Sequence, residues 1–370
     1  ASTSFGLLPS DWDGPTAPPA GSPNFFLELG VDGSGNLTGN SLDLWKFHTD
    51  FANPGNASFS GPLPIPVAGF VPACGGLNCI PQANSGELLD SLGDRLMYRL
   101  AYRNIGPYDS LVVNHSVAVG GRSGIRWYEI RSPGGAVSIF QQSTFSPDGN
   151  SRWMGSAAMD GMGDIALGYS VSGPGLNPSI FLAGRVANDP LSTLEQEVEI
   201  QPGSGSQSPP PPGVPARAGI RWGDYSAMTL DPADDCTFWY ANQYLPQTGI
   251  FNWDTRLYSF KLPGCIFDLS LNPVSQSVVA GSTATTGITI TRVGGFAGAV
   301  GLFTTGLPSG GISPDPAPGS SATLTVPTTA GTAGGVYAFT LFGTSGTVLN
   351  LAHGSITVQN FSLAVSPSPV

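Results

Sequence analysis

Glycine and proline punctuate this chain so densely that long helices are ruled out: 51 Gly and 34 Pro fall among 370 residues. Proline removes a backbone donor and clashes with the preceding helical turn, and glycine raises the entropic cost of ordering, so apolar segments survive only as short runs. Those runs are rich in Val, Ile, Phe, Tyr and Trp and end at Gly, Pro, Asn or Asp, the pattern of strands and turns. The best helical candidate, "SGELLDSLGDRL" at 85–96, extends to two turns at most because Gly93 limits it. The chain therefore reads as all-β. Disorder is the rival for so much Gly and Pro, but 40% hydrophobic and 10% aromatic residues, evenly spread, supply apolar area that disordered tracts lack.

Repeats refine the fold class. "RWMGSAAMD" (152–160) and "RWGDYSAMTLD" (221–231) share Arg-Trp, a Met six positions after the Trp, and an acidic turn behind. Each runs into a further strand, "DIALGYSVS" (164–172) or "CTFWYANQYL" (236–245). "GDRLMYRLAYRN" (93–104) with "SLVVNHSVAV" (110–119) makes a third copy, and "SPNFFLELG" (22–30) with "SLDLWKFHTD" (41–50) a fainter fourth. The starts, near 23, 94, 155 and 223, lie about 60 to 70 residues apart, a blade-sized period for a propeller with long loops. Strands are expected at 95–103, 110–119, 124–131 and 136–145, then at 154–160, 164–172, 179–187 and 195–201. The last unit has three, at 224–230, 236–245 and 253–262, and "STSFGLLP" (2–9) is the expected closing strand. Residues 1–265 thus read as a β-propeller-like domain with about four visible blades.

After Cys265 the aromatics thin out and Thr, Val, Gly and Ser dominate. Six or seven short strands in residues 266–358 read as an immunoglobulin-like β-sandwich without the internal cysteine pair of antibody domains. Residues 359–370 repeat its opening: "FDLSLNP" (267–273) and "FSLAVSP" (361–367) align position for position. With Phe361, Leu363 and Val365 alternating, this is an orphan first strand, expected to belong to a further module, to fold back, or to add to an edge of another subunit.

"RWMGSAAMDGMGDIALGYSVS", "RWGDYSAMTLDPADDCTFWYANQYL" and "SLDLWKFHTDF" resemble a family of uncharacterised secreted bacterial β-propeller proteins over nearly all of 1–265. The 266–358 segment is similar to the bacterial immunoglobulin-like modules that follow such propellers, often in tandem. The resemblance implies a propeller with further propeller sequence ahead of "FGLLPSD", and it brings no established reaction.

Formal charge is −11, with only two lysines, Lys46 and Lys261. Such a surface repels a phosphate backbone or an anionic membrane, so nucleic acid is set aside as a partner. No stretch reaches the roughly 18–20 apolar residues of a spanning helix, so membrane insertion is not expected either. The four cysteines pair naturally as Cys74 with Cys79 and Cys236 with Cys265, although two other pairings exist and metal binding is the rival. The three histidines lie far from them in sequence, which favours disulfides and an oxidising, extracellular setting.

No catalytic constellation stands out, so an enzyme is less expected than a binding or assembly protein. "SPDGNSRW" (146–153) approximates the Asp-box, a structural turn of sialidase-like propellers, with two positions departing. "RWYEIR" (126–131) holds Arg126, Tyr128 and Glu129, but Arg126 and Tyr128 share one strand face and Glu129 the other. "RSGIRW" (122–127) and "RAGIRW" (217–222) repeat an Arg/Trp phrase. Arg126, Trp127, Trp153, Arg221 and Trp222 are therefore candidate ligand-facing groups for glycans; the competing reading packs the rings between blades. Oxygen-rich loops at Asp32, Ser34 and Asn36 and at Asp231, Asp234 and Asp235 suit Ca²⁺, or are plain turns. Asn36, Asn56, Asn114 and Asn360 head glycosylation sequons. The expected function is extracellular assembly or adhesion, through self-association or contact with other surface proteins; the alternative is a carbohydrate-binding or glycosidase-like propeller.

Overall fold

The structure, a computed structural model, describes residues 6–106, 108–213, 221–250, 252–262, 266–292, 296–345 and 348–360. The chain divides into two compact units, Ala1–Leu262 and Pro263–Val370. Among the described residues the only helical turns are two short 3₁₀ segments, Pro54–Asn56 and Ala73–Gly76; the protein is all-β.

The first unit opens with β1 (Leu8–Asp13), β2 (Asn24–Val31), β3 (Leu37–His48) and β4 (Ser58–Pro66), then a small hairpin of β5 (Asn78–Gln82) and β6 (Ser85–Asp90). A second meander follows in β7 (Met97–Asn104), β8 (Asp109–Val119), β9 (Arg122–Arg131) and β10 (Ser138–Phe145). The third comprises β11 (Ser151–Met159), β12 (Ile165–Gly173), β13 (Leu176–Arg185) and β14 (Val198–Gln201), and the last β15 (Ala227–Leu230), β16 (Phe238–Tyr244) and β17 (Asp254–Phe260). Within each meander consecutive strands pair antiparallel.

Two expectations are corrected here. Among the described residues the N-terminal segment does not complete the last unit, which has three strands, β15-β16-β17. Instead β1 runs antiparallel to β2 through Leu8 and Pro9 and then parallel to β7 through Ser10–Asp13, fusing the first two meanders into one eight-stranded sheet. The reason is ionic: Arg99 of β7 is buried and draws in Asp11 and Asp13 at 3.0 and 2.8 Å. The helical candidate at 85–96 is also a strand in its first half, β6, paired with β5. Leu88 points to solvent and Leu89 inward, so the pair of leucines follows the period of two of a strand.

Apolar layers lie between successive sheets. Phe25, Leu27, Leu42, Leu100 and Tyr128 fill the core shared by the first two meanders. Trp127, Ala157, Met159 and Tyr169 fill that between the second and third, and Ala158, Ala166, Met228, Phe238 and Tyr240 that between the third and fourth. Strands β11 and β12 are buried at every position because both their faces are covered, which erases the in–out alternation of a one-sided strand. Gly168 lets the third and fourth meanders approach closely, since a Cβ there would sit 2.3 Å from the Tyr240 ring. Burying each large apolar side chain contributes about 1.5–3 kcal/mol.

The second unit contains β18 (Phe267–Asn272), β19 (Ser275–Val279), β20 (Thr283–Arg292), β21 (Gly301–Thr305), β22 (Gly311–Ser313), β23 (Ser321–Pro327), β24 (Gly335–Ser345) and β25 (Val348–Gln359). They form two four-stranded sheets, β18-β20-β23-β22 and β19-β25-β24-β21, the strand order of an immunoglobulin-type sandwich with its first strand split between sheets. Strict alternation in β18 and β23 sends Phe267, Leu269, Leu324 and Val326 into the core with Ile288, Phe339 and Ile356.

Candidate functional site

The Arg/Trp repeat is architectural. Trp153 and Trp222 are buried and pack against each other, with ring centroids 5.8 Å apart. Ile80, Leu89, Met97 and Leu245 surround them, joining the small hairpin to three meanders. Trp127 is buried against Ile125, Ala157 and Met159. None of the three rings offers a face to a ligand in solvent. Arg221 is exposed and pairs with Asp224.

Arg126 lines an open cavity of about 510 Å³ with Phe70, Thr144 and Ser146. Its Nε donates to Thr144 Oγ1 at 2.6 Å, and Nη1 to Ala68 O and Gln142 Oε1 at 3.3 and 3.4 Å, so the guanidinium is held by the wall it belongs to. Tyr128 bonds His115 Nε2 at 2.9 Å, whereas Glu129 bonds Arg131 and Gln141. Tyr128 and Glu129 therefore do not form the Tyr–Glu pair of a sialidase-like nucleophile; Tyr169 does donate to Glu197 at 2.9 Å, but its ring is wholly buried and Glu197 is taken up by Arg152. His115 is wholly buried between Phe70 and Tyr128, and burial pushes its pKa down to about 3, so it stays neutral. His48, by contrast, is exposed at the end of β3.

Most other ionisable groups that the fold buries serve as ties. Arg152 is gripped by Glu197 and by Asp148 at 2.8 Å, and the Arg152 bond holds Asp148 down at about 2. The Asp-box-like segment is thus a turn locked by its own arginine. Asp160 and Asp164 face the opposite situation: burial raises both, Asp164 to about 6. Their Oδ1 atoms accept backbone N–H bonds, from Met162 and Asp164 for Asp160 and from Ala187 for Asp164. The two Oδ2 atoms have no partner among the described residues.

The oxygen-rich loops close on themselves. Asp32 Oδ1 accepts from the amides of Ser34 and Asn36, and Oδ2 from Asn36 Nδ2, bonds that lower its pKa. Asp231 caps Ala233 and the Trp239 indole; Asp234 bonds Thr237 and Lys261; Asp235 turns away to Arg103. The three carboxylates do not converge, and no group of three or more His, Cys, Asp or Glu among the described residues is arranged to hold a metal.

Cys74 and Cys79 form a disulfide. Cys236 is buried and engaged, while Cys265 lies outside the described residues, as do Phe361, Leu363 and Val365. Asn36, Asn56 and Asn360 are exposed. Asn114 is wholly buried in the middle of β8, which corrects its candidacy as a glycan acceptor: a transferase cannot reach it in the folded protein.

Two surface features were invisible to residue patterns. On the outer face of β2–β4, Phe26, Trp45, Phe47 and Phe59 form an aromatic cluster, with Trp45 stacked on Phe59 at 5.2 Å. At one end of the β15–β17 sheet, Tyr98, Tyr225 and Trp253 border a groove of about 370 Å³. An aromatic-rich strand announces a core in sequence, and only the missing cover reveals a surface.

No family model matches the chain, and no curated protein is found similar to it. Among solved structures, a chimeric titin Z1Z2-Z1Z2 tandem aligns at 16% identity and a TM-score of 0.22, over 53% of this chain and 91% of that one. The S-layer protein SbsC, domains 4 and 5, aligns at 15% identity and 0.20, over 51% and 88%. A longer SbsC structure, rSbsC(31-844), aligns at 11% and 0.21, over 92% of this chain and 49% of that one. Superpositions this poor support neither a fold assignment nor a function. Among the described residues no helix is long and apolar enough to cross a membrane.

Proposed function

We propose that this chain is a non-enzymatic protein of the cell exterior, secreted or surface-held, that acts by extracellular assembly or adhesion. The observation that carries this reading is the aromatic cluster on β2–β4, where Phe47 and Phe59 remain 38% and 49% exposed beside Trp45 and Phe26. A contiguous apolar patch of this kind in water marks an interaction surface, and its occupant in this reading is a second copy. The Cys74–Cys79 disulfide suits an oxidising compartment. Four successive meanders stacked through apolar layers support reading 1–265 as an open, propeller-like array, with β1 as a splice between its first two members. The 359–370 segment, repeating the opening of β18, is the strand that would add to a neighbouring subunit; a head-to-tail contact of that sort does not close and builds filaments.

Electron microscopy and sedimentation of the purified chain test this. Assembly that grows with concentration and is lost in Phe59→Asp supports the β2–β4 face as a joint. Fibres that vanish when 361–370 are deleted, which leaves β25 whole, support strand addition. A monomer at all concentrations up to the millimolar range would overturn the proposal. The second reading, sugar binding, has its own observation in the groove at Tyr98, Tyr225 and Trp253.

A further inference from the structure

We propose that the groove beside the β15–β17 sheet is a binding site for a neutral oligosaccharide, a role independent of assembly through β2–β4. It begins with strand register. Ala227 of β15 lies directly opposite Ala241 of β16, so two small side chains leave a shallow floor where the neighbouring pair, Thr229 and Trp239, would fill it. Residues two apart on a strand share a face, which sets Gln243 beyond Ala241, directly opposite Thr255 of β17; Tyr225 and Trp253, just before β15 and β17, border the same groove. Tyr98 of β7 supplies the opposite wall. The three rings are 39%, 50% and 52% exposed for Tyr98, Tyr225 and Trp253, all far more open than the buried Trp153 and Trp222.

The chemistry selects the ligand class. Pyranose rings present a C–H face that lies on an aromatic ring and an edge of hydroxyls that both donate and accept. Tyr98, Tyr225 and Trp253 provide platforms for the first. The Gln243 amide and the Thr255 hydroxyl, one on each of two paired strands, provide donors and acceptors for the second. Among the described residues no charged side chain lines the groove itself, and Arg95, which bonds Tyr225 at its edge, is already paired with Asp94, so a sialic acid, a uronic acid or a phosphate would find little to offset its desolvation. A proline-rich peptide also docks on aromatic grooves. Its backbone, however, offers mainly carbonyl acceptors, which would leave the Gln243 Oε1 acceptor unmatched, so the sugar is the better fit.

Intrinsic tryptophan fluorescence and calorimetry with cellohexaose, laminarihexaose and xylohexaose, alongside a polyproline decapeptide, decide the matter on the full chain. The expected result is saturable binding of at least one hexasaccharide, weakened at least tenfold by Trp253→Ala and by Tyr225→Ala. It should be unchanged in Trp239→Ala, an exposed ring on the same sheet outside the groove. Thermal unfolding of each variant checks that it folds. Because Trp253 and Tyr225 are exposed, their removal should leave the unfolding midpoint within a few degrees of the parent. Binding of polyproline alone, no binding of any of the three sugars, or sugar binding indifferent to Trp253→Ala each overturns the proposal. Loss of sugar binding with assembly intact, or the reverse, separates this site from the β2–β4 face.

Discussion

Arg103 on β7 holds Asp235, 132 positions away in sequence, through two parallel bonds, Nη1 to Oδ2 at 2.8 Å and Nη2 to Oδ1 at 2.6 Å. Its Nε donates to Met159 O at 2.7 Å, so one side chain ties the second, third and fourth meanders together. Lysine has neither the fork nor the third donor in plane. Arg103→Lys keeps a charge opposite Asp235 but loses the fork and the bond to Met159, and is therefore expected to cost about 1–3 kcal/mol. A double-mutant cycle with Arg103→Leu and Asp235→Leu, read by urea denaturation, should return a coupling well above 1 kcal/mol. Simple additivity would show that the fork contributes nothing.

Trp153 and Trp222 come from corresponding places in the two "RW" phrases and meet in one apolar cluster. Trp153→Ala should cost about 3–5 kcal/mol because the surrounding sheets cannot collapse into the space. Near-ultraviolet circular dichroism should lose the signal of the packed indoles, with far-ultraviolet strand content kept below the new midpoint. If Trp153 were a ligand platform instead, the substitution would leave stability unchanged.

Two buried groups pull the pH dependence of stability in opposite directions. Asp164, raised by burial to about 6, holds its proton in the folded state after the unfolded chain has released it. The stability this contributes is full below pH 4 and is lost as pH rises toward 6. His115, lowered by burial to about 3, does the reverse: the unfolded chain takes up a proton near pH 6.5 that the folded protein refuses. Its contribution is full above pH 6.5 and fades as pH falls toward 3. Asp164→Asn should therefore steepen the acid loss of stability between pH 6 and 4, and His115→Gln should flatten it, each by on the order of 2 kcal/mol across the window. Melting curves at half-unit intervals of pH measure both slopes, and parallel curves for parent and variants would refute the assignment.

The strands of the last three meanders were legible because turn residues bracket them. The segment expected at 110–119 is β8 at Asp109–Val119, and that at 164–172 is β12 at Ile165–Gly173. Which strand pairs with which was not legible at β1, since the decision rests on Arg99 reaching Asp11 and Asp13 across more than eighty residues. Exposure was illegible for a related reason. Trp153 and Trp253 both lie in turn-bounded strand regions, yet one is sealed by a neighbouring sheet and the other is open, and the cover comes from residues far away in the chain. The rings that sequence offered as ligand platforms are buried, and those free to act as platforms carried no motif.

The sequons supply a last test, because the fold grades them. Asn36 sits in an exposed turn and Asn56 at the end of an exposed 3₁₀ segment, where their amides bond only Asp32 and Asp50 at 3.3 and 2.9 Å. Asn360 is exposed after β25 but spends its amide on Ala330 and Thr332 carbonyls. Asn114 is enclosed by the neighbouring sheet, its Oδ1 2.5 Å from where a Cβ on Gly155 would stand. Expression in a glycosylating host followed by peptide mapping should find glycan at Asn36 and Asn56 in most molecules, less at Asn360, and none at Asn114 in folded, secreted material. Glycan at Asn114 in soluble protein would mean that β8 is modified before it is covered and that the sheet tolerates the addition, which a wholly buried central strand does not.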